Sequence, residues 1–359
     1  MRLAVAVCDH PDPEGTSAGR SAWAWCEGIR TLGHDLEAWC WHPDPPRRPL
    51  PDWCRWRPVD PGPRARAHLR GILRPRWDTG GGEWTPPDGT IAVADDVPSF
   101  AAVAGSSRSV LTVHYRALLD ARAVGRLRPA QLQTARGERR GGRRAGLVLA
   151  YSERVGRGLG PRPARFIPIG YPVPEEPLPV VDEPVAALLA DWSWPPNLSA
   201  LGILLRCWPE VRDAVPAARL LLAGRHLDRA RVGSIPGVDL LGEIPSSRDL
   251  LDRAALVAFP CPATSGPKVK VLEALAHGVP VLTTPAGVEG IVLGPGQGAE
   301  LAGPGEFAGV LAKLLVSPDR RAALGATGRA AVLAAHSPLA VARTRVTALT
   351  ERFGGSDEP

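Results

Sequence analysis

Two lysines and one carboxylate stand close together in the segment 265–290, and their spacing predicts a phosphate-binding site. Lys268 and Lys270 lie at the expected start of a helix, and Glu273 follows within the same helix. A helix N-terminus offers unpaired N–H groups and the positive end of the helix dipole, so two lysines there favour a diphosphate. A carboxylate in the same helix can accept hydrogen bonds from vicinal hydroxyls such as those of a ribose. These groups together are suited to hold a nucleoside diphosphate.

The elements that position these residues are predicted from helix formers and breakers. The run 268–276 is rich in helix formers and is followed by Gly278 and Pro280, which end the helix. The apolar, β-branched run 279–284 suits a buried parallel strand. A purely structural interpretation also fits, because lysines at a helix start are usually solvated and Leu272 suits a core.

The segment resembles the C-terminal half of retaining glycosyltransferases of the GT-B fold, family 4, also called glycosyl transferases group 1. Members often carry Gly-Thr-Arg-Leu-Lys ahead of Leu-Glu-Ala-Met-Ala-x-Gly-x-Pro-Val, and here 266–270 reads GPKVK and 272–281 reads LEALAHGVPV. The resemblance covers 165–335, whereas the N-terminal half matches only in outline. It continues upstream through three further runs, 190–201, 219–225 and 238–244. The resemblance implies an α/β chain with two doubly wound Rossmann-like domains facing a cleft.

Two departures from the family pattern affect the phosphate site. Many members have a glutamate eight positions before the helix glutamate, where this chain has Ser265, although the subgroup with Gly-Thr-Arg-Leu-Lys commonly lacks that acid too. The Arg/Lys pair that many members carry after the first strand of this domain is missing, and 190–197 reads ADWSWPPN instead. The resemblance therefore assigns the phosphate charge to Lys268, Lys270 or Arg225. Arg225 follows the strand RLLLAG, where a site residue is expected, but a surface cation fits equally well.

The N-terminal half offers two weaker candidates. Gly15, Thr16 and Gly19 belong to a small-residue loop after the first strand, so the backbone there can approach a phosphate or donor sugar closely. The loop is neither a GxGxxG fingerprint nor a P-loop, and the family resemblance is what favours donor contact over a simple turn. His114 follows the strand SVLTV, and family members often have a histidine after a comparable strand. Contact with donor hydroxyls and an ordinary strand-end histidine both remain open.

The candidate site combines these positions. The candidate catalytic residues are His114 and Lys270. Glu289 lies near a strand-end loop, where it faces the donor sugar or caps a helix. The candidate nucleotide-sugar-binding residues are Gly15, Thr16, Gly19, Arg225, Gly266, Lys268, Lys270, Leu272, Glu273 and Glu289.

The proline-rich run 171–184 separates two series of alternating strands and helices. We expect an acceptor-binding Rossmann-like domain over 1–170 and a nucleotide-sugar-binding one over 171–337. We expect a C-terminal helix and tail over 338–359, and one option is that this segment packs against the N-terminal domain. Ligands of such sheets bind at the carboxyl ends of the strands.

Two segments, 42–88 and 116–145, lack periodicity and are interpreted as irregular, with a short helix around 63–74 as an option in the first. Tryptophans of the first segment suggest an apolar platform for the acceptor, with membrane contact and ordinary packing as alternatives. These candidate acceptor residues are Trp53, Trp56, Trp77 and Trp84.

The basic run 135–146 is interpreted as a solvated face, with an anionic acceptor or a lipid surface as alternatives. No aromatic residue interleaves its arginines, which argues against nucleic acid as a partner. The net charge of +6 and the pI of about 9.3 fit an enzyme that acts on anionic nucleotides or near an anionic lipid surface.

No metal or other cofactor is expected. Asp95 and Asp96 are adjacent on a predicted strand, so their side chains should point to opposite faces, and the lysines and helix dipole can supply positive charge instead. The six cysteines form no CxxC pair, which is typical of reduced thiols in a cytoplasmic protein. Peripheral contact with the inner face of the membrane stays open, while no apolar run approaches the ~20 residues of a membrane span.

The leading hypothesis is a glycosyltransferase that moves a hexosyl or related sugar from a UDP-, GDP- or dTDP-linked donor to an unidentified small-molecule, glycan or lipid-linked acceptor. The resemblance implies retention of the anomeric configuration. One alternative is a nucleotide-sugar epimerase or hydrolase of the same fold, which would turn over without a second substrate. Another is a non-catalytic glycosyltransferase-like partner protein, which would bind a nucleotide without transfer, or bind none.

Overall fold

The computed structural model describes residues 1–58 and 86–354, which form two units. The first unit contains Met1–Pro172, Ser265–Pro267 and the stretch from His336 onward. The second contains Val173–Thr264 and Lys268–Ala335. The C-terminal helix therefore belongs to the first unit, and so do three residues that directly precede Lys268.

The first unit is built on a parallel sheet with the strand order β3-β2-β1-β4-β5-β6-β7 among the described residues. Strand β1 pairs with β2 on one side and with β4 on the other, so the chain winds in both directions from β1. The strands are β1 (Arg2–Val7), β2 (Asp35–His42), β3 (Cys54–Pro58), β4 (Ile91–Ala94), β5 (Ser109–Val113), β6 (Leu147–Ala150) and β7 (Arg165–Phe166).

Helices cover this sheet, and two of them pack closely on each other. A Cβ at Gly28 of the first helix would lie 2.0 Å from the carbonyl oxygen of Pro338, so the first and last helices approach each other through a glycine. The helices of the unit are α1 (Ser17–Thr31), α2 (Phe100–Val103), α3 (Ala117–Ala123), α4 (Pro129–Arg144), α5 (Glu153–Gly156) and α12 (Pro338–Phe353).

Three of these elements lie in segments that the sequence predicted to be irregular, and that prediction was wrong for β3, α3 and α4. Helix α4 lacks an apolar stripe because its buried residues are alanine and glycine, apart from the buried carboxylate of Glu138. A Cβ at Gly141 would lie 2.7 Å from Leu111 Cδ2, and one at Gly142 would lie 2.4 Å from the carbonyl oxygen of Leu159. Strand β3 is recognisable only through its pairing with β2. The optional helix around 63–74 lies outside the described residues.

The second unit repeats the winding pattern with the strand order β10-β9-β8-β11-β12-β13, again all parallel. Its strands are β8 (Val185–Leu189), β9 (Arg219–Ala223), β10 (Val238–Gly242), β11 (Leu256–Phe259), β12 (Val281–Thr283) and β13 (Ala299–Leu301). Its helices are α6 (Pro195–Ala214), α7 (Arg229–Val232), α8 (Arg248–Leu251), α9 (Val269–Ala276), α10 (Phe307–Leu315) and α11 (Pro318–His336), with a 3-10 turn at Pro285–Val288.

Buried arginines hold the proline-rich connector against the second unit. Arg321 donates hydrogen bonds to the carbonyl oxygens of Val181 and Asp182, each at 3.0 Å. Arg329 donates to those of Pro174 and Glu175 at 2.7 and 2.6 Å. No helix of the described residues is both long and apolar enough to cross a membrane.

Candidate active site

The crevice of the second sheet lies where the winding direction changes, outside the carboxyl ends of β8 and β11. The chain leaves β8 toward α6 and leaves β11 toward α9, so the starts of these two helices line the crevice. Ligands of doubly wound sheets bind at such switch points.

Lys270 lies at this crevice on the first turn of α9. Its Nζ donates a hydrogen bond of 2.7 Å to Oδ1 of Asn197 on α6 and lies 4.4 Å from the centre of the Phe259 ring. Burial lowers the pKa of Lys270 to about 8, because desolvation disfavours the charged form. A cation held in this way gains from any anion that enters the crevice.

Lys268 occupies a different position from Lys270. It is the N-cap of α9, with φ −101° and ψ 94°, so the helix begins one residue later than the sequence predicted. Its side chain is buried at 5% exposure. Lys268 thus reaches the site from the loop before the helix, whereas Lys270 reaches it from the helix itself.

Glu273 lies on the same helix and is buried at 7% exposure. Its Oε1 accepts a hydrogen bond of 2.6 Å from the Ser247 hydroxyl, which precedes α8. A carboxylate has lone pairs for several donors, so Glu273 can accept hydrogen bonds from ligand hydroxyls as well as from Ser247.

Arg225 follows β9 and belongs to a group of residues centred on Asp191, which follows β8. Arg225 Nη2 lies 3.6 Å from Asp191 Oδ2, and His226 Nδ1 lies 3.0 Å from Asp191 Oδ1. Partial burial raises the pKa of Asp191, but hydrogen bonds from Ser193 and His226 outweigh it, so the pKa is lowered. The carboxylate therefore stays ionised and compensates part of the charge of the half-exposed Arg225.

The backbone after β9 is tightly constrained. His226 has a positive φ of 62°, which few non-glycine residues adopt. A Cβ at Gly224 would lie 1.9 Å from the carbonyl oxygen of Ala190, so only glycine fits there. Strained backbone of this kind is often found at ligand sites.

The remaining candidates of this segment have different environments. Leu272 is fully buried, as expected for a core residue. Glu289 is half-buried and directly follows the 3-10 turn Pro285–Val288. Gly266 has φ 74° and belongs to the first unit, where a Cβ would lie 2.2 Å from the carbonyl oxygen of His114. The fold thus brings Gly266 and His114, two candidates far apart in sequence, into contact.

His114 follows β5 and lies among buried polar groups of the first unit. Its Nε2 lies 3.9 Å from Asp95 Oδ2, beyond hydrogen-bond distance, and has no hydrogen-bond partner among the described residues. Burial lowers the pKa of His114, but the interaction with Asp95 outweighs it and the pKa is raised. A buried nitrogen of this kind can be satisfied by a hydroxyl of a ligand.

The partners of Asp95 include a cation from the C-terminal helix. Asp95 Oδ1 accepts a hydrogen bond of 2.9 Å from Trp25 Nε1 and lies 3.4 Å from Arg345 Nη2. Arg345 is 2% exposed and its guanidinium lies 4.2 Å from the Trp25 ring centre. The charge of Asp95 is therefore compensated within the unit.

Asp96 makes different contacts from those of Asp95. Asp96 Oδ1 accepts hydrogen bonds from Ser99 N at 2.7 Å and from Cys8 Sγ at 3.3 Å. Both aspartates follow the end of β4 rather than lying within it. Within 1–58 and 86–354 no group of three or more acidic, histidine or cysteine side chains is arranged to hold a metal ion.

The glycine loop after β1 begins helix α1. Thr16 is the N-cap, and its Oγ1 accepts a hydrogen bond of 3.1 Å from Gly19 N. A Cβ at Gly19 would lie 2.3 Å from the carbonyl oxygen of His10, whereas one at Gly15 would meet Asp12. The threonine hydroxyl thus has a capping role, and Gly19 allows close backbone packing.

The tryptophans differ in accessibility. Trp53 is 5% exposed, and its Nε1 donates to Glu27 Oε2 at 3.1 Å, which favours a packing role. Trp56 is half-buried and donates to the carbonyl oxygen of His42 at 2.9 Å. Trp77 and Trp84 lie outside the described residues.

Sequence reasoning missed several polar residues of the second crevice, outside β8 and β11, and of the first crevice, which lies outside the carboxyl ends of β4 and β5 and contains Asp95 and His114. These residues belong to no sequence motif, because their partners follow other strands. The run 190–197 was noted only because the Arg/Lys pair of the family is missing there. The missed residues are Asp191, Asn197, His226, Ser247 and Arg345.

Comparison with known proteins identifies the class. Residues 183–317 match the family model for glycosyl transferases group 1. Sucrose-phosphate synthase from Thermosynechococcus elongatus is similar in structure, with a TM-score of 0.76 at 16% identity over 99% of this chain and 100% of that one. A search of curated proteins gives no match.

Two further solved structures have the same fold. TarM superposes with a TM-score of 0.72 at 9% identity, covering 97% of this chain and 99% of that one. HepE of Anabaena, in complex with UDP and glucose, superposes with a TM-score of 0.67 at 15% identity, covering 98% and 100%. The predicted fold of two doubly wound Rossmann-like domains is confirmed.

The chain therefore has the GT-B fold, and one segment of it matches the glycosyl transferases group 1 model. The matched segment, 183–317, contains the crevice with Lys270 and Glu273.

Proposed function

We propose that this enzyme transfers a sugar from a nucleotide-diphosphate sugar to an acceptor with retention of the anomeric configuration, as in family 4. The observation that carries the proposal is the position of Lys270, a buried cation at the switch point of the second sheet. Its hydrogen-bond partner is a neutral amide oxygen, Oδ1 of Asn197, 2.7 Å away. The buried carboxylate of Glu273 on the same helix is suited to ribose hydroxyls. The UDP complex of the similar HepE supports a nucleotide ligand.

In this proposal the second unit holds the donor. Lys268, Lys270 and the N–H groups at the start of α9 bind the diphosphate, with Arg225 as an additional cation. Glu273 binds the ribose, and Glu289 faces the donor sugar. The base is uracil, guanine or thymine.

In this proposal the first unit holds the acceptor. His114 donates Nε2–H, which has no hydrogen-bond partner within the described ranges, to a sugar hydroxyl, and the backbone of the loop with Gly15 and Gly19 is a further candidate for sugar or phosphate contact. Trp56 is the described tryptophan best placed for acceptor contact, because it is not fully buried.

The reaction breaks the bond between the anomeric carbon and the diphosphate and forms one to the acceptor oxygen, which loses its proton. Negative charge develops on the departing diphosphate. Fixed lysines and helix N–H groups stabilise that charge without reorganisation, which is the usual source of electrostatic catalysis. The chain thus supplies the charge that Mg²⁺ supplies elsewhere, so we propose that no cofactor is required.

We further propose that the enzyme works in the cytoplasm, because no disulfide joins any of the six cysteines in the described ranges and such thiols persist in reducing compartments. Contact with the inner face of the membrane is favoured by the arginines at the end of α4. Arg143 and Arg144 are exposed there and line a cavity of about 720 Å³ with Arg162 and Arg352.

A nucleotide screen followed by product analysis tests the function. Thermal unfolding with UDP, GDP, dTDP and ADP should show stabilisation by one of them, about 2.7 kcal/mol at 100 times its dissociation constant. The matching sugar donor is then incubated with and without an acceptor panel, and NMR of the product gives its anomeric configuration. Inversion would contradict retention, turnover without any acceptor would favour a hydrolase or epimerase, and the absence of any nucleotide effect would contradict donor binding.

A further inference from the structure

The hydrogen bond between Lys270 and Asn197 joins the two helices that line the second crevice. Lys270 is on α9, which follows β11, and Asn197 is on α6, which follows β8. The two atoms, Nζ and Oδ1, are 2.7 Å apart, and Asn197 is 4% exposed. The lysine is therefore held across the switch point by a residue outside every motif that the sequence revealed.

A second hydrogen bond fixes the orientation of the Asn197 amide. Its Nδ2 donates to the carbonyl oxygen of Asp191 at 2.7 Å. A carbonyl oxygen only accepts and an ammonium only donates, so both bonds together require Oδ1 to face Lys270. Rotation of the amide would place two donors against each other and lose both bonds.

Asn197 is a neutral acceptor in a charged neighbourhood. The titratable and charged groups that act on Lys270 are Cys261, Glu273, Lys268 and Asp191. Asp191 accepts hydrogen bonds from Ser193 and His226, and Glu273 accepts one from Ser247. A carboxylate at position 197 would bind the ammonium more strongly but would cancel its charge.

We propose that Asn197 is a positioning residue that holds the Lys270 ammonium at the crevice through a neutral oxygen, so that its charge stays available to the diphosphate of the donor. The inference rests on the proposed function, because it assigns a role within the same site. Asn197 itself contacts the lysine and not the reacting atoms.

The protonation state of Lys270 is expected to depend on which side chain at position 197 accepts its hydrogen bond. Burial lowers its pKa to about 8, so the ammonium is charged below that pH and loses its proton as the pH rises through it. A carboxylate beside a cation typically shifts a pKa by about 1–3 units toward the charged form. A carboxylate at position 197 would therefore raise the pH at which Lys270 loses its proton.

The chain is well suited to a direct measurement, because it contains only three lysines, Lys268, Lys270 and Lys313. The full chain labelled with [¹³C]lysine gives three side-chain signals, and Lys270→Arg identifies the one of interest. We expect its titration midpoint near pH 8 in the unaltered protein and about 1–3 units higher in Asn197→Asp. Ser199→Ala, an exposed change on the same helix, should leave it in place. An unchanged midpoint in Asn197→Asp would overturn the inference.

Binding of inorganic pyrophosphate and UDP at pH 7 provides the second readout. Both ligands are expected to bind about 10-fold more weakly, or worse, in each variant. In Asn197→Asp the carboxylate cancels the charge of the ammonium, and in Asn197→Ser the hydrogen bond that positions the ammonium is lost. Thermal unfolding verifies that the variants are folded. If Asn197→Asp does not fold, Asn197→Ser provides the test instead. Normal affinity in a folded variant would contradict the positioning role.

The two proposals fail differently. If the unaltered protein binds neither pyrophosphate nor any nucleoside diphosphate, the proposed function is wrong and the role toward a diphosphate is wrong with it. If it binds them and the Asn197 variants bind with the same affinity and the same dependence on pH, only the role of Asn197 is wrong.

Discussion

The two units have the same winding pattern, with strands added on both sides of the first strand, yet the chemistry at their switch points differs. In the second unit, Lys270 faces a neutral amide oxygen and its charge is uncompensated by its hydrogen-bond acceptor. In the first unit, Asp95 lies 3.4 Å from the buried guanidinium of Arg345 and accepts a hydrogen bond from Trp25. We therefore expect the second crevice to favour anions, whereas the charge of Asp95 in the first crevice is compensated by Arg345.

The comparison indicates that sheet topology determines where a ligand binds. The residues that follow each strand determine which ligand binds there. The second crevice has a buried cation, a helix N-terminus and a carboxylate. The first offers Nε2 of His114, which has no hydrogen-bond partner in the part of the chain that the structure describes and suits a hydroxyl. Changes in the two units should accordingly affect different steps.

The largest effect is expected from Lys270→Ala. Its loss removes the cation of the second crevice, so affinity for both pyrophosphate and UDP should fall about 10- to 150-fold, as measured by calorimetric titration. Lys268→Ala should have a smaller effect, because Lys268 is the N-cap of α9 with extended backbone and its side chain reaches the site from a different direction. Lys313→Ala, an exposed change on α10, is the matched control. Equal losses for Lys268 and Lys270, or none for either, would contradict the geometry.

Glu273→Ala should separate the ribose from the diphosphate. We expect UDP affinity to fall about 10- to 150-fold and pyrophosphate affinity to stay nearly constant, because only UDP has ribose hydroxyls. Ser247→Ala removes the internal donor to Glu273 but keeps the carboxylate, so it should retain UDP affinity. A folded Glu273 variant with normal UDP binding would refute the assignment.

His114→Ala tests the first crevice. The maximal rate of transfer should fall about 10-fold or more through loss of a hydrogen bond from a charged donor, while UDP affinity should change little. Steady-state kinetics and titration measure the two quantities, and His34→Ala, outside the site, is the control. If UDP affinity falls as strongly as in Lys270→Ala, the division of roles between the units is wrong.

A smaller effect is expected from the tryptophans. Trp56→Ala should raise the KM for the acceptor and leave the KM for the donor nearly unchanged, because the side chain is only half-buried. Trp53→Ala should instead lower stability by about 3–5 kcal/mol, the usual effect of removing a buried tryptophan. Normal acceptor KM values in Trp56→Ala and in substitutions of Trp77 and Trp84 would show that these residues do not bind acceptor.

No effect is expected from chelation. Transfer measured in EDTA should proceed at the rate found with added Mg²⁺ or Mn²⁺, because lysines and helix N–H groups supply the positive charge. Complete loss of activity in EDTA that either metal restores would show that the second crevice depends on an ion as well.

Local signals made much of the second unit predictable. The glycines and prolines around 265–290 mark the ends of α9 and β12, and the helix pattern places Lys270 and Glu273 on one short helix. The first unit was less predictable, because α4 packs through glycines such as Gly141 rather than through an apolar stripe. Strand β3 is short, and its pairing with β2 is a long-range contact without a local signature.

The sequence by itself determined the α/β class, the repeated strand–helix order and the two lysines that precede and begin a helix, because periodicity and helix breakers act locally. Only the tertiary structure decided that Asn197 reaches Lys270, that Gly266 packs on the carbonyl oxygen of His114, and that Arg345 reaches Asp95 from the C-terminal helix. The first of these contacts joins residues 73 positions apart, and the last joins residues 250 positions apart. Their formation depends on which strands become neighbours, and no local pattern specifies that order.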